Sequence, residues 1–158
     1  MTLGNKAVEV ALKRVGTKEI GENWGRPVQI YLAFVHVFRP AAWCAAFLAL
    51  MVHNAAKELG VKAAWPKSGY VQSVVNWAKK STYLRDTPEN GYAFVVWHPE
   101  LKRYAHIGLI ADTRKVHDHW EFLTVEGNSS TTGGREGKEV VSMWRAWNPA
   151  RHRCFPVR

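Results

Sequence analysis

The pattern of hydrophobic and polar positions divides the chain into two unlike halves. Up to about residue 80 the apolar positions recur at helical spacing. Ala7, Val8, Ala11, Leu12 and Val15 fall on one stripe, which predicts a helix from an Asn5 cap to about Val15, ended by Gly16. A turn-rich segment, Gly21-Glu-Asn-Trp-Gly-Arg-Pro27, follows, and Pro27 can open a second helix reaching Phe38. A third helix is predicted from Pro40 to about Leu59, stopped by Gly60. On it Cys44, Phe47, Leu48, Met51, Val52 and Ala55 share one face, while a run of alanines keeps it slim enough to approach a sheet closely. Ser68 is placed to cap a fourth helix through about Lys80. From residue 92 the pattern changes. Segments 92–97, 105–111, 120–126 and 139–145 are rich in aromatic and β-branched residues and bounded by turns, and 154–157 reads as a short last strand. Helices followed by an antiparallel meander predict an α+β domain, with N-terminal helices packed on a C-terminal antiparallel sheet.

Length and composition narrow the class. The 158 residues suit one domain, large enough to bury roughly 70% of the surface its unfolded chain exposes. No repeat or low-complexity segment is present. Charges at Lys6, Glu9, Lys13, Arg14, Lys18 and Glu19 leave no room for a signal peptide in the first twenty residues, so synthesis without an export signal is expected. The longest apolar run, Pro40 to Val52, has 13 residues and falls short of the ~20 a spanning helix needs, so no membrane insertion is expected. The net charge of +9 is spread along the chain, about +6 before Gly91 and +3 after it. That balance favours an anionic partner such as nucleic acid, a membrane surface or a cell-wall polymer, without choosing among them.

Candidate chemistry centres on Cys44. A thiol early in a helix feels the positive end of the helix dipole, which favours the thiolate. On its own, a buried free cysteine is more readily a small hydrophobe. The strands supply partners for it. If segments 105–111 and 120–126 form a hairpin around a polar loop from Asp112 to His119, His106 and Glu126 become cross-strand neighbours. The same register sets Gly108 by Thr124 and Ile110 by Phe122 on that face, and Ile107 by Val125 and Leu109 by Leu123 on the other. Asn128, two residues past Glu126, projects to the same side if the strand continues. An imidazole, a carboxylate and an amide then converge as the orienting half of a Cys–His catalytic device. For each residue alone, a sheet-edge histidine or a Gly-Asn turn explains it as well.

The words Trp43-Cys44-Ala-Ala-Phe47, Ala105-His106-Ile-Gly-Leu-Ile110 and Thr124-Val-Glu126-Gly-Asn128-Ser, with an upstream Glu19-Ile-Gly-Glu-Asn23-Trp-Gly25 and Tyr31-Leu32, carry a family resemblance. From about Val15 to Val157 the chain resembles the CHAP family, cysteine- and histidine-dependent amidohydrolases and peptidases with a papain-like core. It departs at Gly91-Tyr92, where such proteins often have Gly-Asp, and at Ala105, where glycine often precedes the histidine. The resemblance implies a papain-like fold, Cys44 as nucleophile, His106 as general base and then acid, and Glu126 and Asn128 as orienting groups. It implies a peptidoglycan substrate cut at an amide in the stem peptide or at its sugar attachment. The oxyanion would be held by the backbone N–H of Cys44 and one upstream side chain, Asn23 or Tyr31.

Competing signals are weaker. His117-Asp-His119 lacks a third metal ligand and reads as a solvated turn, no calcium loop is present, and no Cys-x-x-Cys spacing marks zinc, so no metal or cofactor is expected. Cys44 and Cys154 could form a disulfide. Eight tryptophans among 22 basic residues could stack on single-stranded nucleic acid, but Trp43, Trp77, Trp97 and Trp144 lie in apolar segments and are expected in the core. Trp24, Trp65 and Trp147 are expected to be exposed and able to stack on sugar rings. The expectation is a monomeric enzyme of bacterial cell-wall degradation, a phage lysis enzyme first and an injected antibacterial effector second. The rival from another class is a non-catalytic basic module that binds nucleic acid or wall polymer.

Overall fold

The computed structural model describes residues 1–130 and 137–158. Four helices, α1 (Leu3–Leu12), α2 (Arg26–Phe34), α3 (Cys44–Leu59) and α4 (Val71–Lys79), precede five strands, β1 (Tyr92–His98), β2 (Arg103–Val116), β3 (His119–Ser129), β4 (Glu139–Ala146) and β5 (His152–Pro156). The strands form one antiparallel sheet in the order β4-β3-β2-β1-β5. The α+β architecture read from the hydrophobic pattern is the one observed.

Helix boundaries differ from expectation where hydrogen bonds decide them. Thr2, not Asn5, caps α1: its Oγ1 accepts from the Asn5 N–H at 3.1 Å. The helix ends at Leu12, because Gly16 (φ 91) turns the chain so that its N–H reaches the Val140 carbonyl. Helix α2 stops at Phe34 rather than Phe38. His36 takes a left-handed backbone (φ 60), and the N–H groups of Val37 and His36 close on Leu32 O and Ala33 O, a Schellman ending. Ser68 does not cap α4; its Oγ accepts from the Tyr70 N–H in a local turn, and Tyr70 holds the cap position. Helix α3 begins at Cys44, four residues after Pro40, a difference that matters for the site.

Alternation along the strands gives the sheet two covered faces. Ala93, Val95, Ile107, Leu109, Val125 and Phe155 point to the helices and share a core with the alanine-rich face of α3. Phe94, Val96, Ile110, Phe122 and Cys154 point the other way and pack with Trp147. Gly127 is on the helix side, where a Cβ would come within 2.9 Å of both the Trp43 and Phe47 rings, so glycine lets α3 lie close.

The β2–β3 hairpin corrects the predicted register. Most of the expected loop from Asp112 to His119 is strand, and the turn is only His117-Asp118, between paired Val116 and His119. Its polar residues are at a tip of the sheet, where Arg114 bonds Glu121 across the hairpin, so they lack the apolar alternation that marks a strand. Ile110 pairs with Thr124 and Leu109 with Val125, two residues from the expected partners. Between Ile110 and Asp112 a bulge inserts Ala111 on β2 alone.

Two tryptophans expected at the surface are buried. Trp65 is 3% exposed and stacks on Phe155, with ring centroids 5.8 Å apart. Trp147 is 6% exposed and donates its indole N–H to the Asp86 carbonyl at 2.6 Å. Trp24 is half-buried against the main core. Of the four expected in the core, Trp43 is fully buried and Trp77, Trp97 and Trp144 are half-buried.

Candidate active site

The bulge at Ala111 decides which side chains can meet. Successive strand residues point to opposite faces, so one extra residue on β2 reverses the face that its earlier residues share with β3. In the register set by Val116 and His119, His106 would share a face with Val125 and Gly127. With Ala111 inserted it shares one with Thr124 and Glu126. Gly108 faces Glu126, where a Cβ would stand 2.9 Å from the Glu126 Cβ, and the missing side chain opens the diagonal. Across it the His106 Nε2 meets Glu126 Oε1 at 3.1 Å. His106 and Glu126 are thus partners, as expected, on a diagonal rather than directly opposite.

Cys44 arrives from the other layer. As the first residue of α3 it stands at the positive end of the helix dipole. The helix starts there because the Trp43 N–H donates to Asn128 Oδ1 at 2.7 Å, while the Trp43 carbonyl accepts the first helical bond, from Phe47. Asn128 is buried in a left-handed conformation (φ 55), and its Nδ2 donates to the Gly137 carbonyl at 2.8 Å. Both ends of its amide are therefore used on backbone. The expected Asn128–His106 contact is replaced by a bond that pins the residue before Cys44. The bulge between Glu126 and Ser129 is what frees Asn128 from the regular alternation.

Cys44, His106 and Glu126 are all buried. Burial alone would push the His106 ring towards neutrality. Hydrogen bonding to the Cys44 side chain and to Glu126, with the charge of both, more than offsets this and raises the ring to about 9. Nε2 is occupied by Glu126, and Nδ1 is buried with no hydrogen bond of good geometry among the described residues, which leaves it as the ring nitrogen available to the thiol. For Glu126, burial works against ionisation, but His106 and Arg145 outweigh it and hold the carboxyl well below the usual range.

Glu126 has two partners that motif reading missed. Arg145 on β4 donates from Nε to Oε2 at 3.0 Å and from Nη2 to Oε1, a bidentate pair, and the Ser129 hydroxyl donates to Oε1. Arg145 is opposite Phe122, so it falls on the Glu126 face. One arginine in an otherwise uncharged stretch, Val140-Val-Ser-Met-Trp-Arg145-Ala, was the available signal. Further support comes from the helical layer. The Trp43 indole donates to Glu19 Oε2 at 2.9 Å, and Tyr31 stacks on Trp43 at 5.7 Å and edges onto Phe47. Of the two candidate oxyanion donors, Tyr31 has its hydroxyl engaged with Thr17, and Asn23 holds a left-handed backbone (φ 52) in the turn before α2. Cys154 and Cys44 are both free thiols, in separate clusters. His117 forms part of the hairpin turn, with φ 56.

No protein-family model and no curated protein matches the chain. Among solved structures, the crystal structure of Ly7917 aligns with 99% of this chain at a TM-score of 0.53 and 14% identity. This chain spans 63% of the length of Ly7917. At that identity the likeness speaks to the overall fold alone.

Proposed function

We propose that the chain is a papain-like cysteine hydrolase that cleaves an amide bond of peptidoglycan, in the stem peptide or at its sugar attachment. The observation that carries the reading is the buried grouping of Cys44 at a helix start with His106 and Glu126, the last two bonded at 3.1 Å, assembled from a helix and two strands. A structural histidine or cysteine needs no such arrangement. The proposed substrate rests on the sequence words shared with the CHAP family, and the charge of +9 suits an anionic envelope.

In this reading the roles follow from the geometry. Glu126 accepts a hydrogen bond from Nε2–H and fixes the tautomer, leaving Nδ1 to exchange a proton with the thiol. A ring raised to about 9 keeps, at neutral pH, the proton it exchanges with the thiol. The Cys44 sulfur attacks the amide carbonyl carbon, and the carbonyl oxygen becomes an oxyanion. The Cys44 backbone N–H, in the unbonded first turn of α3, is available to stabilise it. His106 then gives its proton to the departing amine, leaving a thioester on Cys44. Neutral His106 takes a proton from water, hydroxide attacks the thioester, and the carboxylic acid leaves with the thiolate restored.

The test is digestion of purified peptidoglycan, with mass spectrometry of the products. Wild-type protein is expected to release fragments with a new amine at one kind of amide, and Cys44→Ala, with an unchanged circular dichroism spectrum, none. Equal cleavage by both proteins, or none by wild type on any wall chemotype, would sink the proposal.

A further inference from the structure

A second site is built into the helical layer. Between the end of α1, the first turns of α2 and the middle of α3 is a cavity of about 350 Å³. Ligand pockets for small molecules begin near this size, roughly 300 Å³. Its polar lining is Arg14, Arg26, Thr17 and Asn54, and no carboxylate among the described residues lines it. Neither guanidinium has an ion-pair partner among the described residues, although five acidic side chains elsewhere on the molecule do pair with a lysine or arginine. The uncapped first turn of α2, which carries Arg26, adds the positive end of a helix dipole at the same mouth.

The remaining wall is apolar. Leu50 and Met51 come from α3, and Ile30 and the Tyr31 ring from α2. Ile30 is 53% exposed at this rim. A polyanion following a basic surface would need a long groove, whereas here two forked cations face a compact hollow with an apolar side. That pairing suits a small ligand with one planar anionic end and a short hydrocarbon body.

We propose that this cavity binds the terminal carboxylate of a short peptide, the carboxylate between Arg14 and Arg26 and a small apolar side chain against Ile30, Leu50 and Met51. Guanidinium groups recognise a carboxylate through paired N–H···O bonds, and the apolar wall distinguishes a peptide end from a bare anion. Tyr31 connects the cavity to the ring stack on Trp43, the residue before Cys44. The binding itself needs nothing from Cys44.

Calorimetric titration of the Cys44→Ala protein tests this, because a peptide is bound there without being consumed. The probes are N-acetyl-alanyl-alanine, its C-terminal amide and inorganic phosphate. The free acid is expected to bind at least about tenfold more tightly than the amide, and Arg14→Gln and Arg26→Gln are each expected to weaken it about tenfold. Ile30→Ser should weaken the peptide and leave the circular dichroism spectrum unchanged. Equal binding of acid and amide, undiminished binding by the double arginine variant, or no saturable heat with the acid overturns the proposal. Phosphate binding as tightly as the peptide overturns its apolar half. Loss of wall cleavage in the separate digestion assay would leave all these readouts untouched.

Discussion

Cys44 and Cys154 are both free and both buried, yet their surroundings make them opposites. Cys154 is in the middle of β5 among Phe94, Phe122 and Trp147 and donates to the Thr87 carbonyl; burial pushes its thiol up to about 12. Cys44 starts a helix beside a histidine that a carboxylate holds in place. The two buried histidines repeat the contrast. His152 packs on Phe122 and Trp147, and burial, with Arg145 and Arg151 nearby, pushes it down to about 4. His106 is the more buried of the two and rises to about 9, because interactions with Cys44 and Glu126 favour its charged form. Burial alone drives a titratable group to its neutral form, and only a placed partner reverses that. Partners, then, separate a candidate catalytic group from a core residue of the same type.

The widest separation is expected in reactivity. Cys44→Ala should lower peptidoglycan cleavage by about 10⁵-fold or more, as removal of a nucleophile does. Cys154→Ala should leave cleavage within a few-fold of wild type. In the folded protein iodoacetamide should label Cys44 and spare Cys154, read by peptide mass mapping; preferential labelling of Cys154 would erase the contrast.

Next in size is the carboxylate. Glu126→Gln breaks the bidentate ion pair with Arg145 in a mostly buried setting, and a broken pair of that kind costs about 3–5 kcal/mol. Chemical denaturation reads this loss. The same variant should bring the alkaline limit of cleavage down from about 9 towards 6.5, the ordinary value of the ring. An unmoved alkaline limit would mean that Glu126 does not hold the imidazolium.

Asn128→Ala should be milder. It strips an acceptor from the buried Trp43 N–H, a loss of about 1–3 kcal/mol, and loosens the first turn of α3. Cleavage should fall while the alkaline limit stays in place, since Asn128 does not touch His106. A shifted limit would restore the amide to the role of histidine partner.

The smallest effect is the dependence of stability on pH. The folded pKa of His106 lies above 6.5, so its contribution is full below about pH 6.5 and is lost as pH rises through about 9. His152 has the opposite sign. Its folded pKa lies below 6.5, so its contribution is present above about pH 6.5 and lost as pH falls through about 4. Thermal melts should therefore be highest near pH 6.5, with His106→Asn flattening the alkaline side and His152→Asn the acid side. Melts in which each variant flattens the wrong side would refute the assignment.

The hydrophobic pattern by itself determined the order of elements and the α+β class, because burial of one face leaves a period of 3.6 or 2 in the residues themselves. The residue types and their places in the elements marked Cys44, His106 and Glu126, and the even spacing of alternating side chains suggested that the last two share a face. What it left open were events that add or remove one residue from a pattern. The polar tip of the β2–β3 hairpin carries no apolar alternation, so its turn was misplaced, and the bulge at Ala111 restored the shared face that the true turn alone would have broken. The role of Arg145 depends on β4 register, and that of Asn128 on a bond to a residue 85 positions away. Such contacts leave no local period. They are decided when a strand, a second strand and a helix start close on one another, and in this protein that closure tells one cysteine and one histidine from their buried counterparts.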